Sequence, residues 1–105
     1  MVDIRVITLC GSTKFKDDFL KANAELTLQG NVVISVGVFG HTDPEYMKRI
    51  DEEMKTQLDD IHRRKIDMAD EIFVINTDGY IVSSTKSEIE YALQNNKIVK
   101  YMYEI

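Results

Sequence analysis

Glu88 is the residue whose surroundings in the sequence best suit chemistry. It lies in "TDGYIVSSTKSEIEYA" (77–92), where a glycine turn leads into a run of hydroxyls and then into an apolar helix. A carboxylate near a helix N-terminus is expected to stay ionised at neutral pH. That state suits a nucleophile or a stabiliser of a cationic transition state. Ser83, Ser84, Thr85 and Ser87 set hydroxyl groups around it. The same residues also fit a structural use. Thr85-x-x-Glu88 matches a capping box, in which the hydroxyl and the carboxylate each satisfy a free amide. Such a box is worth on the order of 1 kcal/mol. The two uses stay open together, because both want an ionised carboxylate at that place.

A second polar cluster is "CGSTK" (10–14). A phosphate-binding P-loop needs Gly-x-x-x-x-Gly-Lys-Ser/Thr. Here the second glycine is missing and Lys14 follows Ser12-Thr13, so the order of donors is wrong. A turn and a helix cap is the plain alternative, yet free amides at a helix N-terminus still suit an anion or a sugar hydroxyl. His41 and His62 are 21 positions apart, with no short metal-ligand spacing, and Cys10 is the single cysteine. No metal and no cofactor are expected, nor an intrachain disulfide. A lone thiol suits a reducing compartment. His41 follows an apolar run and is either a ligand contact or a solvated loop histidine. His62 shares a helix side with Leu58 and Ile66 and fits a half-buried structural histidine. Asp59 and His62 are the members of the charged stretch "DEEMKTQLDDIHRRK" that sit at an edge facing a site.

The elements that must position these residues follow from hydrophobic spacing. "IRVITL" (4–9) predicts a buried strand. Phe15, Phe19, Ala22 and Leu26 predict a helix, with Ser12 or Thr13 as its cap and Gly30 at its end. "NVVISVGVF" (31–39) predicts a second strand, interrupted by Gly37. Asp43, Pro44 and Glu45 open a helix. The stripe Met47, Ile50, Met54, Leu58 and Ile61 carries it, less regularly, to Met68. "EIFVIN" (71–76) is a third strand. A helix carrying Ile89, Ala92 and Leu93 and a last strand, "KIVKYMY" (97–103), complete the chain. The order βαβαβαβ, with strands apolar on both faces, predicts an α/β fold: a parallel sheet of four to five strands between helices, a three-layer sandwich. In such sheets ligands bind beyond the carboxyl ends of the strands. The polar clusters above are the loops found there.

The 105 residues suffice for one domain, residues 1–105, and for one core. A net charge of -5 argues against a nucleic-acid polymer as partner, though not against a small phosphorylated ligand. The start, "MVDIRVITLC", carries Asp3 and Arg5 within its apolar run and is expected to be a strand rather than a signal peptide. No apolar run approaches the roughly 20 residues of a membrane span. A cytoplasmic chain that meets no membrane is the expectation.

Three segments together carry a resemblance: "LCGSTKF", "LDDIHRRKIDMADEIFVIN", and "GYIVSSTKSEIEYA" followed by "NKIVKY". They resemble the nucleoside 2-deoxyribosyltransferase-like superfamily, and within it short bacterial members with "GSTKF" and a "GYIG-x-ST" loop. The superfamily also contains the 2'-deoxynucleoside 5'-monophosphate N-glycosidases. The likeness spans nearly the whole chain. It implies a flavodoxin-like, Rossmann-like sheet and a nucleoside or nucleotide as small-molecule partner. Glu88 matches the family's nucleophilic glutamate, which attacks C1' and expels the base. Water then completes hydrolysis, or a second base completes transfer. Ser83, Ser84 and Thr85 fall where relatives bind a monophosphate, and Cys10, Gly11 and Ser12 where they line the sugar or base pocket. Relatives carry an aspartate eight residues before the "AD" aspartate. Counting back from Asp70 gives His62, with Asp59 one helical turn away. Relatives also complete each site with a neighbouring subunit, which implies a homodimer or a larger homo-oligomer. The function expected is therefore N-glycosidic bond cleavage or base transfer through Glu88. The alternatives are a non-catalytic nucleotide-binding module of the same fold and an interaction domain in which Glu88 only caps a helix.

Overall fold

The computed structural model describes residues 4–40 and 42–104. In chain order the elements are β1 (Val6–Gly11), α1 (Lys16–Leu28), β2 (Val32–Ile34), α2 (Pro44–Met47), α3 (Glu52–Asp67), β3 (Glu71–Ile75), α4 (Ser83–Gln94) and β4 (Ile98–Tyr101). A 3-10 turn, Thr77–Gly79, joins β3 towards α4. The four strands form one parallel sheet in the order β2-β1-β3-β4. This is the strand order of the flavodoxin-like class, with four strands.

Alternation along the central strands sorts two cores. Leu9 and Ile75 face α1 and pack with Phe19 and Ala22. Cys10, Ile72 and Val74 face the opposite side and pack with Ile66 of α3 and Ala92 of α4. The result is three layers: α1, the sheet, and α3 with α4. Ala92 is fully buried, and its small side chain lets α4 lie close to the sheet. At the amino end, Asp70 clamps β1 to β3. Its carboxylate accepts from the Val6 amide at 2.9 Å and its own amide donates to the Val6 carbonyl at 2.8 Å.

Several boundaries differ from the spacing. Strand two stops at Ile34, and residues 35–40 leave the sheet. The outer strands β2 and β4 are only partly buried, because each is an edge. Helix α1 starts after Phe15, with no side-chain cap bond. Ser12 instead turns the chain: its hydroxyl accepts from the Lys14 amide at 3.4 Å and its carbonyl from Phe15 at 3.2 Å. Its C-terminus closes as expected. Gly30 has a φ of +96°, and Asn31 reaches back to the Leu26 carbonyl at 3.2 Å.

The long helix expected from 43 to 68 is two helices. Asp51 begins α3, its carboxylate accepting from the Met54 amide at 2.8 Å. Asp51→Ala is expected to cost about 1 kcal/mol, the usual worth of an N-cap. Urea unfolding of wild type and variant checks this, and equal midpoints would mean the cap carries no stability.

Candidate functional site

The loops at the carboxyl ends of β1 and β2 meet helices α3 and α4 around a cleft of about 270 Å³. Gly11 and Thr13 come from the first loop, Val36, Gly37, Val38 and Gly40 from the second, and Ser84 and Glu88 from α4. Helix α3 supplies Leu58, Asp59, Ile61, His62 and Lys65. The walls are largely apolar, with Met47 and Ile50 closing the outer side. Two anchors hold α3 against β1 and the loop after β2: the Thr8 hydroxyl donates to the Lys65 carbonyl at 2.8 Å, and the Lys65 ammonium donates to the Ser35 carbonyl at 2.9 Å. The first and third loops are tied together as well. The Lys14 ammonium sits 3.9 Å from the centre of the Tyr80 ring, and Phe15 meets that ring edge-on.

Glu88 reaches the cleft because α4 begins earlier than a capping box requires. Ser83 is already helical, Val82 is the N-cap, and no side-chain cap bond forms. Thr85 therefore lies inside the helix and is not its cap, and the capping box is not made. Its hydroxyl is buried and has no hydrogen-bond partner among the described residues. Ser84 and Glu88 share one helix face, four residues apart, and both line the cleft.

The Glu88 carboxylate lies 3.3 Å from His62 Nε2, and that same nitrogen lies 3.3 Å from Cys10 Sγ. Cys10 is fully buried and forms the floor beneath the pair. Burial, with Asp59 beside it and Arg63 opposing, raises the Glu88 pKa from 4.5 to about 7. This corrects the expectation of a fully ionised carboxylate: away from the helix terminus, desolvation wins over the dipole. Burial, with Lys65 adding and Asp59 opposing, lowers His62 from 6.5 to about 4. Burial, with Glu88 adding, pushes the Cys10 thiol well up. At neutral pH His62 is uncharged, so its contact with Glu88 is not a fixed ion pair.

The two shifts have opposite consequences for stability. Between pH 4.5 and 7 the folded chain keeps a Glu88 proton that the unfolded chain has lost, so stability falls as pH rises. Between pH 4 and 6.5 the unfolded chain holds a His62 proton that the folded chain lacks, so stability rises. With chelator present, these two contributions are expected to cancel from pH 4.5 to 6.5. His62→Gln should unmask the falling limb in urea titrations across that range. An unchanged pH profile in the variant would show that the shifts are absent.

Of the residues expected at a site, Glu88, Asp59, His62, Gly11 and Ser84 share the cleft, and Cys10 lies under it. Ser12 and Thr85 are buried away from the lining, and Ser83 is exposed outside it. His41 lies outside the described residues. The missed residues are the apolar wall Val36–Val38 and the smaller recess of about 80 Å³ beside Glu88. That recess is lined by Asp59, Arg63, Ser84, Ser87 and Glu88. Gly37, a glycine inside an apolar run, was the signal that strand two ends early. No metal was expected from local spacing, yet Cys10, His62 and Glu88 bring three ligand-capable atoms within 4.8 Å of one another. Among the described residues, no helix is long and apolar enough to cross a membrane. Comparison with protein-family models, with curated proteins and with solved structures returned no match.

Proposed function

We propose that the chain cleaves or transfers the N-glycosidic bond of a nucleoside or nucleotide, with Glu88 as nucleophile. The observation that carries this is the placement of Glu88: a carboxylate in a mostly apolar cleft of about 270 Å³ at the carboxyl end of a parallel sheet. Apolar walls from Val36, Val38, Ile50 and Leu58 suit the faces of a base. Asp59, on the same cleft, is available to hold the sugar or to protonate the leaving base. It lies one turn from His62, the place where similar enzymes carry their aspartate. The neighbouring recess, with Arg63, Ser84 and Ser87, suits a 5'-phosphate.

In the reaction, a Glu88 oxygen bonds to C1' as the C1'–N bond breaks. The bonding electrons leave with the base, which takes a proton. Water then adds at C1', frees the sugar, and returns Glu88 as a carboxylate, releasing a proton. A second base in place of water gives transfer. This is two-step retaining chemistry.

Incubation of the chelator-treated protein with nucleosides and 5'-monophosphates should release free base, measured by chromatography. If no substrate yields base but a nucleotide raises Tm, the chain is a nucleotide-binding module. If neither occurs, the proposal fails.

A further inference from the structure

The contacts of His62 pose a problem of their own. One ring nitrogen faces both Cys10 Sγ and the Glu88 carboxylate, each at 3.3 Å. In a nucleophile–base–orienter triad, the imidazole uses its two nitrogens, one for each partner. Here both partners converge on Nε2, which carries either one proton or one lone pair. It has one full hydrogen bond to give, and two neighbours must share it. A cation placed between the three atoms can bond to all of them.

The spacing fits that use. Zinc bonds of about 2.0–2.3 Å to sulfur, nitrogen and oxygen at tetrahedral angles put ligand atoms about 3.4–3.6 Å apart. Two of the three separations are already 3.3 Å, and the third pair lies within 4.8 Å. Rotation about the last torsion of Glu88, which is soft, closes that remaining gap. The ligands come from three different elements, β1, α3 and α4, which pack on one another. His62 and Glu88 line the cleft and Cys10 is buried beneath them, so a fourth position on the side away from Cys10 faces the cleft.

We infer that Cys10, His62 and Glu88 form a binding site for a divalent cation of the zinc class, three-liganded and open to the cleft. A thiolate, an imidazole and a carboxylate are a donor set that zinc and cobalt accept and that magnesium and calcium do not favour. Binding displaces the Cys10 thiol proton to solvent, together with the Glu88 carboxyl proton wherever that group is protonated. It also takes the Glu88 oxygen, so cation occupancy and attack by Glu88 on C1' exclude one another. The site is independent of the proposed glycosidase activity, but the two meet at Glu88: if that activity is present, zinc should suppress it.

Cobalt(II) alone serves as the probe. Titration of the chelator-stripped chain should give a thiolate-to-cobalt charge-transfer absorption that saturates at one ion per chain and is displaced by zinc. Cys10→Ser should abolish the absorption. His62→Gln, at a position where the side chain is only 14% exposed, should weaken binding by more than about a hundredfold, since even residues that only support a ligand cost 10–100-fold. Urea unfolding without metal establishes that each variant is folded. Asp60→Asn, on the exposed side of α3 where it pairs with Arg64, should leave the absorption in place. No charge-transfer band in folded wild type overturns the inference, as does full binding by His62→Gln. Base release measured in chelator stands apart from this result. A band without base release leaves the metal site and removes the glycosidase, and base release without a band does the reverse.

Discussion

Glu88→Gln is expected to lose base release by at least about a thousandfold while becoming more stable at alkaline pH. The amide matches the shape of the protonated carboxyl group but cannot form the bond to C1'. Its effect on stability follows from the raised pKa. Glu88 titrates near 7 when folded and 4.5 when not. The folded state is therefore favoured by the protonated form, fully below pH 4.5, and loses that advantage as pH rises to 7. At pH 8.5 the buried charge costs the wild type as much as about 3 kcal/mol, from about 1.4 kcal/mol per pKa unit. Glutamine carries no charge to desolvate. With chelator present, its Tm should exceed that of wild type by up to about 12 °C at pH 8.5. At pH 4 the two should coincide. Gain in stability with loss of activity is the mark of a side chain held at a cost for its reactivity. Equal base release by the two proteins ends the nucleophile assignment. Equal Tm at pH 8.5 ends the claim that burial raises the Glu88 pKa.

Gly11→Ala is expected to damage the fold more than any change to the cleft's polar residues. Gly11 has a φ of +151°, which side chains rarely adopt. A Cβ there would stand 2.9 Å from the Ile75 carbonyl oxygen and 3.0 Å from its Cβ. The obstacle is the backbone of the neighbouring strand, which cannot swing aside. Strain and clash together should cost about 3 kcal/mol, lowering Tm by about 12 °C or more. Gly37→Ala is the control. It lines the same cleft, but a Cβ there meets nothing within 4 Å. Its Tm should stay within about 2 °C of wild type. A small effect at Gly11 would mean that β1 and β3 separate easily at their carboxyl ends.

The sheet was readable because its central strands are short β-branched runs between turn residues. Strand two misled because "SVGVFG" continues the apolar run without belonging to the sheet. Val36 and Val38 are apolar as walls of a cleft and Phe39 as packing against Phe19, and periodicity does not tell either use from a strand. The broken helix misled in the opposite way. Met47, Ile50 and Met54 keep helical spacing across a break, while the informative signal was local: Asp51 followed by Glu52 and Glu53, an N-cap and an acidic first turn. Glu88, Ser84, Asp59 and Gly11 could be placed at one site from strand order alone. The meeting of Cys10, His62 and Glu88 could not. It depends on how deeply α3 and α4 seat on the sheet, which no spacing within either helix encodes.

The strand order has a consequence for how the chain emerges during synthesis. β1 can pair with β2 once residue 34 is out, in register Val6 with Val32. Its other edge waits for β3, whose pairing runs from Ile7 with Glu71 to Gly11 with Ile75. At 5–20 residues per second, some 40 further residues take about 2–8 s. Through that interval a strand whose four middle residues are all buried in the finished fold offers an open hydrogen-bonding edge to any neighbour. The strand that later carries Cys10 and Gly11 is thus the one most exposed to mispairing before the chain is complete.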